Sequence, residues 1–219
     1  MKNVVFIHCC KLNNWKDILQ EQLDYIKSSG LEEVSDIKIQ YHDLREDTWD
    51  KDKGEGDGLI DMYNFSLQND SNILFIHIKG VTYYQTKFQE IADNHRRWLM
   101  DGVVGNWKEY VSYLDEYDVV GDNYKESVFF RDIWPDRYSK NSKRVFPQHF
   151  AGGFFWTKSD YVKELINPIT YFNDNYNRNK SEIWPTTGKG KFKEVRRDYS
   201  VEPYDVIEAG GFLRSKNER

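Results

Sequence analysis

Two short apolar runs constrain this chain more than any other feature. Val4-Val5-Phe6-Ile7 ends at His8, and Ile73-Leu74-Phe75-Ile76 ends at His77 before one further apolar residue, Ile78. Each run is too short for an apolar helix and lacks the alternation of a half-exposed strand. Each therefore reads as a strand covered on both faces, the situation of a parallel sheet sandwiched between helices. The segment after the first run supports this. Asn14 is placed to cap a helix starting at Trp15, with Asp17 in its first turn. Trp15, Ile18, Leu19, Leu23 and Ile26 recur at helical spacing, and Gly30 stands where a helix commonly stops. Residues 37–41 alternate and form a second strand. A strand–helix–strand order of this kind is a parallel crossover unit.

The same reading extends along the chain. Residues 45–58 form a loop, 59–67 a short helix and 73–78 the clearest buried strand. Residues 87–114 are helical in pattern, interrupted at Gly102 and Gly105. Residues 118–121 and 150–156 are strands, Ser159 caps a helix running to about Leu165, and further strands fall near 192–197 and 203–207. No repeat or low-complexity linker separates these parts. The length of 219 residues suits one domain. The expectation is a single α/β domain over 1–219, Rossmann-like, with a mostly parallel central sheet flanked by helices and its site at the carboxyl ends of the strands.

Composition removes several classes of function. With 36 acidic against 31 basic residues the net charge is -5, so bulk attraction to nucleic acid is not expected. No apolar run approaches the roughly 20 residues of a membrane span, and the amino-terminal run breaks at His8 without a cleavage site, unlike a signal peptide. The two cysteines, Cys9 and Cys10, are adjacent. They offer neither a disulfide framework nor a CxxC motif, which fits a reducing, cytoplasmic setting. Phosphate-loop and GxGxxG signatures are absent, as are HExxH and GxSxG. Asp50-Lys51-Asp52-Lys53-Gly54 looks like the start of a calcium loop, but Glu55 stands where glycine is required.

What remains is a set of polar residues at strand ends: His8 after the first, Asp43 after the second, His77 and Lys79 at the third, Asp118, Asp122 and Asn123 flanking the fourth, and His149 before the fifth. In an open parallel sheet such ends face one crevice, where polar groups are costly unless they bind something. Ala151-Gly152-Gly153 interrupts an aromatic strand, as for tight packing or for the close approach of a flat, hydroxyl-rich ligand. Lys189, Lys191, Lys193, Arg196 and Arg197 form either a solvated loop or a cationic lid, and Arg96-Arg97 is a second cationic candidate.

These segments, in order over about residues 4–185, resemble a family of small glycosyltransferase-like proteins with a GT-A-like, nucleotide-sugar-binding fold, found in bacterial polysaccharide gene sets and large DNA viruses. Ile76-His77-Ile78-Lys79-Gly80 is similar to that family's IHTKG strand end. Arg96 to Met100 is similar to its WRxxM helix, with His95 in place of tryptophan. His149-Phe150-Ala151-Gly152-Gly153-Phe154-Phe155-Trp156 is similar to HFxGNFWW, and Ser181-Glu182-Ile183-Trp184 to a final E-x-W. The resemblance implies a glycosyltransferase that moves a sugar from a UDP-, GDP- or dTDP-linked donor to a glycan or glycoprotein acceptor. It places the donor at His8, Cys9, Asp43, His77, Lys79, Arg96, Asp118 and His149, with Lys79 and Arg96 on the diphosphate and residues 189–197 as a lid. Glu182 is the first expectation for a carboxylate base and Asp122 the second. The acceptor borders Gly152, Gly153, Trp156 and Trp184.

The literal Asp-x-Asp of such enzymes is met only by Asp50-Lys51-Asp52, with no strand before it. Mn²⁺ or Mg²⁺ would fall to His77 with Asp118 or Asp122, unless Lys79 supplies the charge instead. Two other readings stand beside the transferase: a carbohydrate- or nucleotide-binding module without turnover, and a metal-dependent phosphoesterase on the same rim. The chain is also compatible with being one domain of a larger polypeptide.

Overall fold

Side chains of a strand alternate between the two faces of its sheet, and the covered strands of this chain use both faces fully. In a computed structural model, which describes residues 1–43, 55–129, 139–143, 145–173 and 180–196, the first run lies in strand β1 (Lys2–Cys10) and the second in β3 (Ser71–His77). β2 (Ser35–His42), β4 (Val119–Gly121), β9 (Phe155–Lys158) and β10 (Phe192–Glu194) complete a six-stranded sheet in the order β10-β4-β9-β3-β1-β2. β1 pairs in parallel with β2 and β3, and β10 with β4, whereas β9 runs antiparallel to both β3 and β4. The sheet is thus mostly parallel. Two small ribbons stand apart from it: β5 (Tyr124–Lys125) with β8 (His149–Phe150), and β6 (Val128–Phe129) with β7 (Val145–Phe146).

One face of the sheet presents Val5, Ile7, Cys9, Leu74, Ile76, Val120 and Trp156. Helices α1 (Trp15–Ser28), α3 (Gln89–Met100) and α4 (Trp107–Tyr113) cover it. The opposite face presents Val4, Phe6, Ile73, Phe75, Val119 and Phe155. It is covered by α2 (Gly56–Ser66), α5 (Ser159–Glu164) and α6 (Pro168–Asn173), with α7 (Lys180–Ile183) leading into Trp184. Among the described residues no helix is long and apolar enough to cross a membrane.

The local rules behave as physics requires, with some reassignment. Gly30 takes φ +74° just past α1, as expected of a helix terminator. Gly102 and Gly105 do interrupt the 87–114 segment, and the break is a π-turn at Asp101–Gly105. Asn14 opens α1 with its carbonyl, which accepts from the amides of Asp17 and Ile18, and its side chain makes no capping bond. Ser159 does not cap α5. Its hydroxyl ties that helix to β3, accepting from the Ser71 amide at 3.1 Å and donating to the Ser71 carbonyl at 3.2 Å. Helix α2 begins at Gly56, inside the expected loop. The expected strand 150–156 is two strands in different sheets, separated by a turn in which Gly152 and Gly153 have φ +102° and +70°. The strand expected at 203–207 and the Asp50-Lys51-Asp52 triplet lie outside the described residues.

Candidate functional site

Parallel pairing in register sets His8 beside His77 at the carboxyl ends of β1 and β3. Because β9 is antiparallel, its entry turn at Gly152-Gly153 arrives at the same edge. There the His77 Nε2 lies 2.9 Å from the Gly152 carbonyl. A carbonyl only accepts, so Nε2 carries the proton. The other ring nitrogen, Nδ1, is 3.5 Å from Glu55 Oε1, and the second Glu55 oxygen accepts from the Ser181 hydroxyl at 2.8 Å. The amide of Gly152 donates to Glu182 Oε1 at 3.2 Å. The left-handed φ of +70° favours glycine at 153, where a Cβ would meet His77 Nε2 and Glu182 Cγ only at the ordinary contact distances of 3.5 and 3.8 Å. His149, in β8, is buried with its Nδ1 3.0 Å from the Pro147 carbonyl and feels the charge of Glu182.

A second polar group adjoins this one at the ends of β1 and β2. His8 Nδ1 is 2.7 Å from Gln40 Oε1, and the His8 and His42 rings lie 5.9 Å apart. His42 Nδ1 pairs with Asp57 at 2.9 Å. Burial lowers the pKa of His8, His77 and His149 alike, and for His77 the value falls to about 4 despite the nearby Glu55 charge. All three imidazoles are therefore neutral at pH 7, able to donate from one nitrogen and accept at the other.

Of the expected site residues, His8, His77, His149, Gly152, Gly153 and Glu182 gather at this edge. Lys79 follows β3 there, half-buried, its ammonium close enough to lower the pKa of His77. Asp43 sits at the end of β2, exposed and 3.2 Å from Lys11.

The others do not join them. Cys9 points into the helix-covered core and is fully buried, which pushes its thiol up to about 11. Asp118 precedes β4 rather than following it, so it lies at the opposite edge of the sheet. There it accepts from the Lys191 amide at 2.8 Å and faces Lys158. Arg96 is only 1% exposed, its two terminal nitrogens held by Asp93 at 2.6 Å, Glu21 at 3.2 Å and the Lys79 carbonyl at 2.9 Å, while its Nε is buried without a partner among the described residues. It braces the turn after β3 and cannot reach a diphosphate.

Asp122 is also fully buried. It accepts from the Tyr110 hydroxyl and from the backbone and guanidinium of Arg196, at 3.1 and 3.0 Å. The Arg196 amide and guanidinium can only donate, which favours the carboxylate against the burial that raises its pKa, and both oxygens are occupied. Trp156 and Trp184 are core residues on opposite faces of the sheet, their indole N–H groups satisfied by the carbonyls of Val103 and Ile166. They present no surface to an acceptor.

Of the expected lid, Lys193 and Arg196 are structural, Lys189 and Lys191 are exposed, and Arg197 lies outside the described residues. Lys193 lies in β10 over the rings of Tyr113 and Tyr117, and Arg196 is locked to Asp122, Asp101 and the Trp98 carbonyl.

The expected metal set fails the same test. Asp118 is at the wrong edge, Asp122 is saturated, and His77 Nε2 is held by the Gly152 carbonyl. Among the described residues no three His, Cys, Asp or Glu side chains converge as metal ligands. The residues of the site missed by sequence reasoning are Glu55, Asp57, Gln40 and Ser181. Glu55 entered only as a departure from a calcium loop, and nothing local pairs it with a histidine 22 positions later. Compared with known proteins, the chain matches no family model, no curated protein and no solved structure.

Proposed function

We propose that this protein is a nucleotide-sugar-dependent glycosyltransferase of GT-A-like fold, acting on a glycan or glycoprotein acceptor with Glu182 as general base. The observation that carries the reading is the position of Glu182: half-buried at the carboxyl edge of the sheet, with one oxygen held by the Gly152 amide, between neutral imidazoles at His77 and His149. The carboxyl edge of a parallel sheet is where open α/β folds hold their ligands. The ordered sequence resemblance supports the choice of a sugar nucleotide.

In this mechanism the acceptor oxygen attacks the anomeric carbon while the bond from that carbon to the diphosphate breaks. The acceptor proton passes to Glu182 Oε2. Oε1 stays on the Gly152 amide, which keeps the carboxylate aimed. The negative charge of the leaving diphosphate is met by Lys79, now without the help expected of Arg96. Gly152 and Gly153 are buried against Leu99 and His77, so they support this edge from beneath and the expected acceptor contact with their backbone is not part of the mechanism. No step is routed through a metal ion, because the residues expected to hold one do not converge.

The test is a panel of UDP-, GDP- and dTDP-sugars read by thermal shift and by donor hydrolysis, with Mn²⁺, Mg²⁺ and chelator lanes. A donor at 100 times its Kd stabilises the fold by about 2.7 kcal/mol. Glu182→Gln is expected to lower transfer by about 10²- to 10⁴-fold with the donor-induced shift intact, whereas Lys79→Ala weakens that shift. Retained transfer by Glu182→Gln removes Glu182 from the role. A panel in which no sugar nucleotide shifts or turns over overturns the reading.

A further inference from the structure

We infer that His77 and Glu55 are positioning residues for Glu182, the first acting through the backbone of Gly152 and the second through Ser181. The inference rests on the proposed role of Glu182, but its geometry stands independently. Two hydrogen bonds form a relay. His77 Nε2 donates to the Gly152 carbonyl at 2.9 Å, and the Gly152 amide donates to Glu182 Oε1 at 3.2 Å. Ser181, the residue before Glu182, donates to Glu55 Oε2 at 2.8 Å. Glu55 therefore reaches the base through Ser181 and the peptide chain, while His77 reaches it through Gly152.

The centre of the relay is a backbone that needs holding. Gly152 has φ +102° in a turn between strands of two different sheets. Glycine reaches that region without strain but also leaves it readily. A hydrogen bond from a buried ring opposes that freedom, since His77 is packed edge-on against Phe154 at 5.1 Å. Packing alone would be served as well by an apolar ring, without the cost of a buried imidazole and a carboxylate 3.5 Å from it. The polar edge of His77 is spent on the orientation of Gly152, and the Gly152 amide in turn fixes which oxygen of Glu182 faces the crevice. This reassigns His77 from ligand binding to alignment of the base.

The experiment uses the ¹⁵N-labelled full chain and follows the Gly152 amide resonance against pH, alongside transfer kinetics. In the wild type this amide follows a carboxylate titration, and Glu182→Gln abolishes that response. His77→Phe keeps a ring in the cavity but removes the donor. It is expected to reduce the amplitude of the Gly152 titration at least twofold and to lower kcat about tenfold or more with the donor KM unchanged, as small misplacements of a reacting group do. His77→Gln, whose amide reaches as far as Nε2, is expected to restore both.

A His77→Phe protein with the full Gly152 titration and wild-type kcat overturns the inference, as does a His77→Gln protein no better than His77→Phe. If His77→Phe does not fold, Ser181→Ala, which cuts the Glu55 path, decides: a smaller Gly152 titration with lowered kcat supports the positioning, and an unchanged titration or a wild-type kcat overturns it. The amide measurement needs no turnover. Intact coupling in a protein that transfers no sugar therefore refutes the transferase reading alone, and active transfer without coupling refutes the positioning role alone.

Discussion

Asp122→Asn separates a buried structural carboxylate from a catalytic one by the sign of its effect on stability. Asp122 is fully buried, while the Arg196 side chain is 28% exposed. Removing one partner of a buried ion pair costs about 3–5 kcal/mol, because the other charge is left uncompensated. Here two features reduce that figure. Arg196 is partly solvated, and it keeps Asp101 at 2.6 Å and the Trp98 carbonyl. Against them, the new amide nitrogen of asparagine must face the Arg196 guanidinium or the Arg196 backbone amide, donor against donor. The expected loss is about 2–3 kcal/mol, which for a chain of this size lowers Tm by about 4–12 °C. The assay is thermal and urea unfolding of both proteins at pH 7 and moderate salt, with the urea slope checked for constancy. A carboxylate held unsatisfied for catalysis would respond in the opposite way, its neutralisation leaving the fold as stable or more so. A Tm within 2 °C of the wild type (about 1 kcal/mol or less), or above it, refutes the anchoring role.

Three further outcomes follow from the same geometry. Gly152→Ala places a Cβ 2.6 Å from Leu99 Cδ1 at φ +102°, so left-handed strain and overpacking together should cost about 2–4 kcal/mol; a chemical-denaturation midpoint equal to the wild type would contradict this. His77 has a folded pKa of about 4, below its ordinary 6.5, so the unfolded chain takes up the proton first, and this contribution is whole above pH 6.5 and fades as pH falls towards 4. The gap amounts to about 3 kcal/mol, and the difference in stability between wild type and His77→Gln should shrink steadily from pH 7 to pH 4.5; a difference constant over that range removes His77 as the source. Finally, burial holds the Cys9 thiol at about 11 while Cys10 is half-buried, so Ellman's reagent should titrate Cys10 in the native protein and Cys9 only on unfolding; two thiols reacting at one rate would place Cys9 outside the core.

Much of the framework was legible because its signals are local. The covered runs at β1 and β3, the helix from Trp15 to Gly30 and the break at Gly102 and Gly105 depend on near neighbours in sequence, and all four are present. The direction of a strand is not local. Nothing in Phe150-Ala151-Gly152-Gly153-Phe154-Phe155-Trp156 states that the chain turns at the two glycines and re-enters the sheet antiparallel between β3 and β4.

That single reversal carries Gly152 to the edge where His77 and Glu182 stand, and it explains why two glycines sit in an aromatic stretch. Alternation also separates neighbours that look equivalent in sequence: His8 ends β1 at the site, while Cys9, one residue on, turns to the opposite face and into the core. Charge gave the least reliable guide. Arg96, Arg196 and Asp122 looked available for substrate, yet each is consumed by partners distant in sequence, since a buried charge persists only where other groups satisfy it.

From its amino-acid order alone, then, this chain determines an α/β domain with buried parallel strands, polar residues at their carboxyl ends, and Glu182 and His77 among the candidates. The tertiary structure alone decided which of those residues meet. The hydrogen bonds that join His77 to Gly152, Gly152 to Glu182 and Ser181 to Glu55 cross 30 to 126 positions of sequence. The energies of such contacts depend on burial and on the partners present, neither of which exists until the sheet has formed.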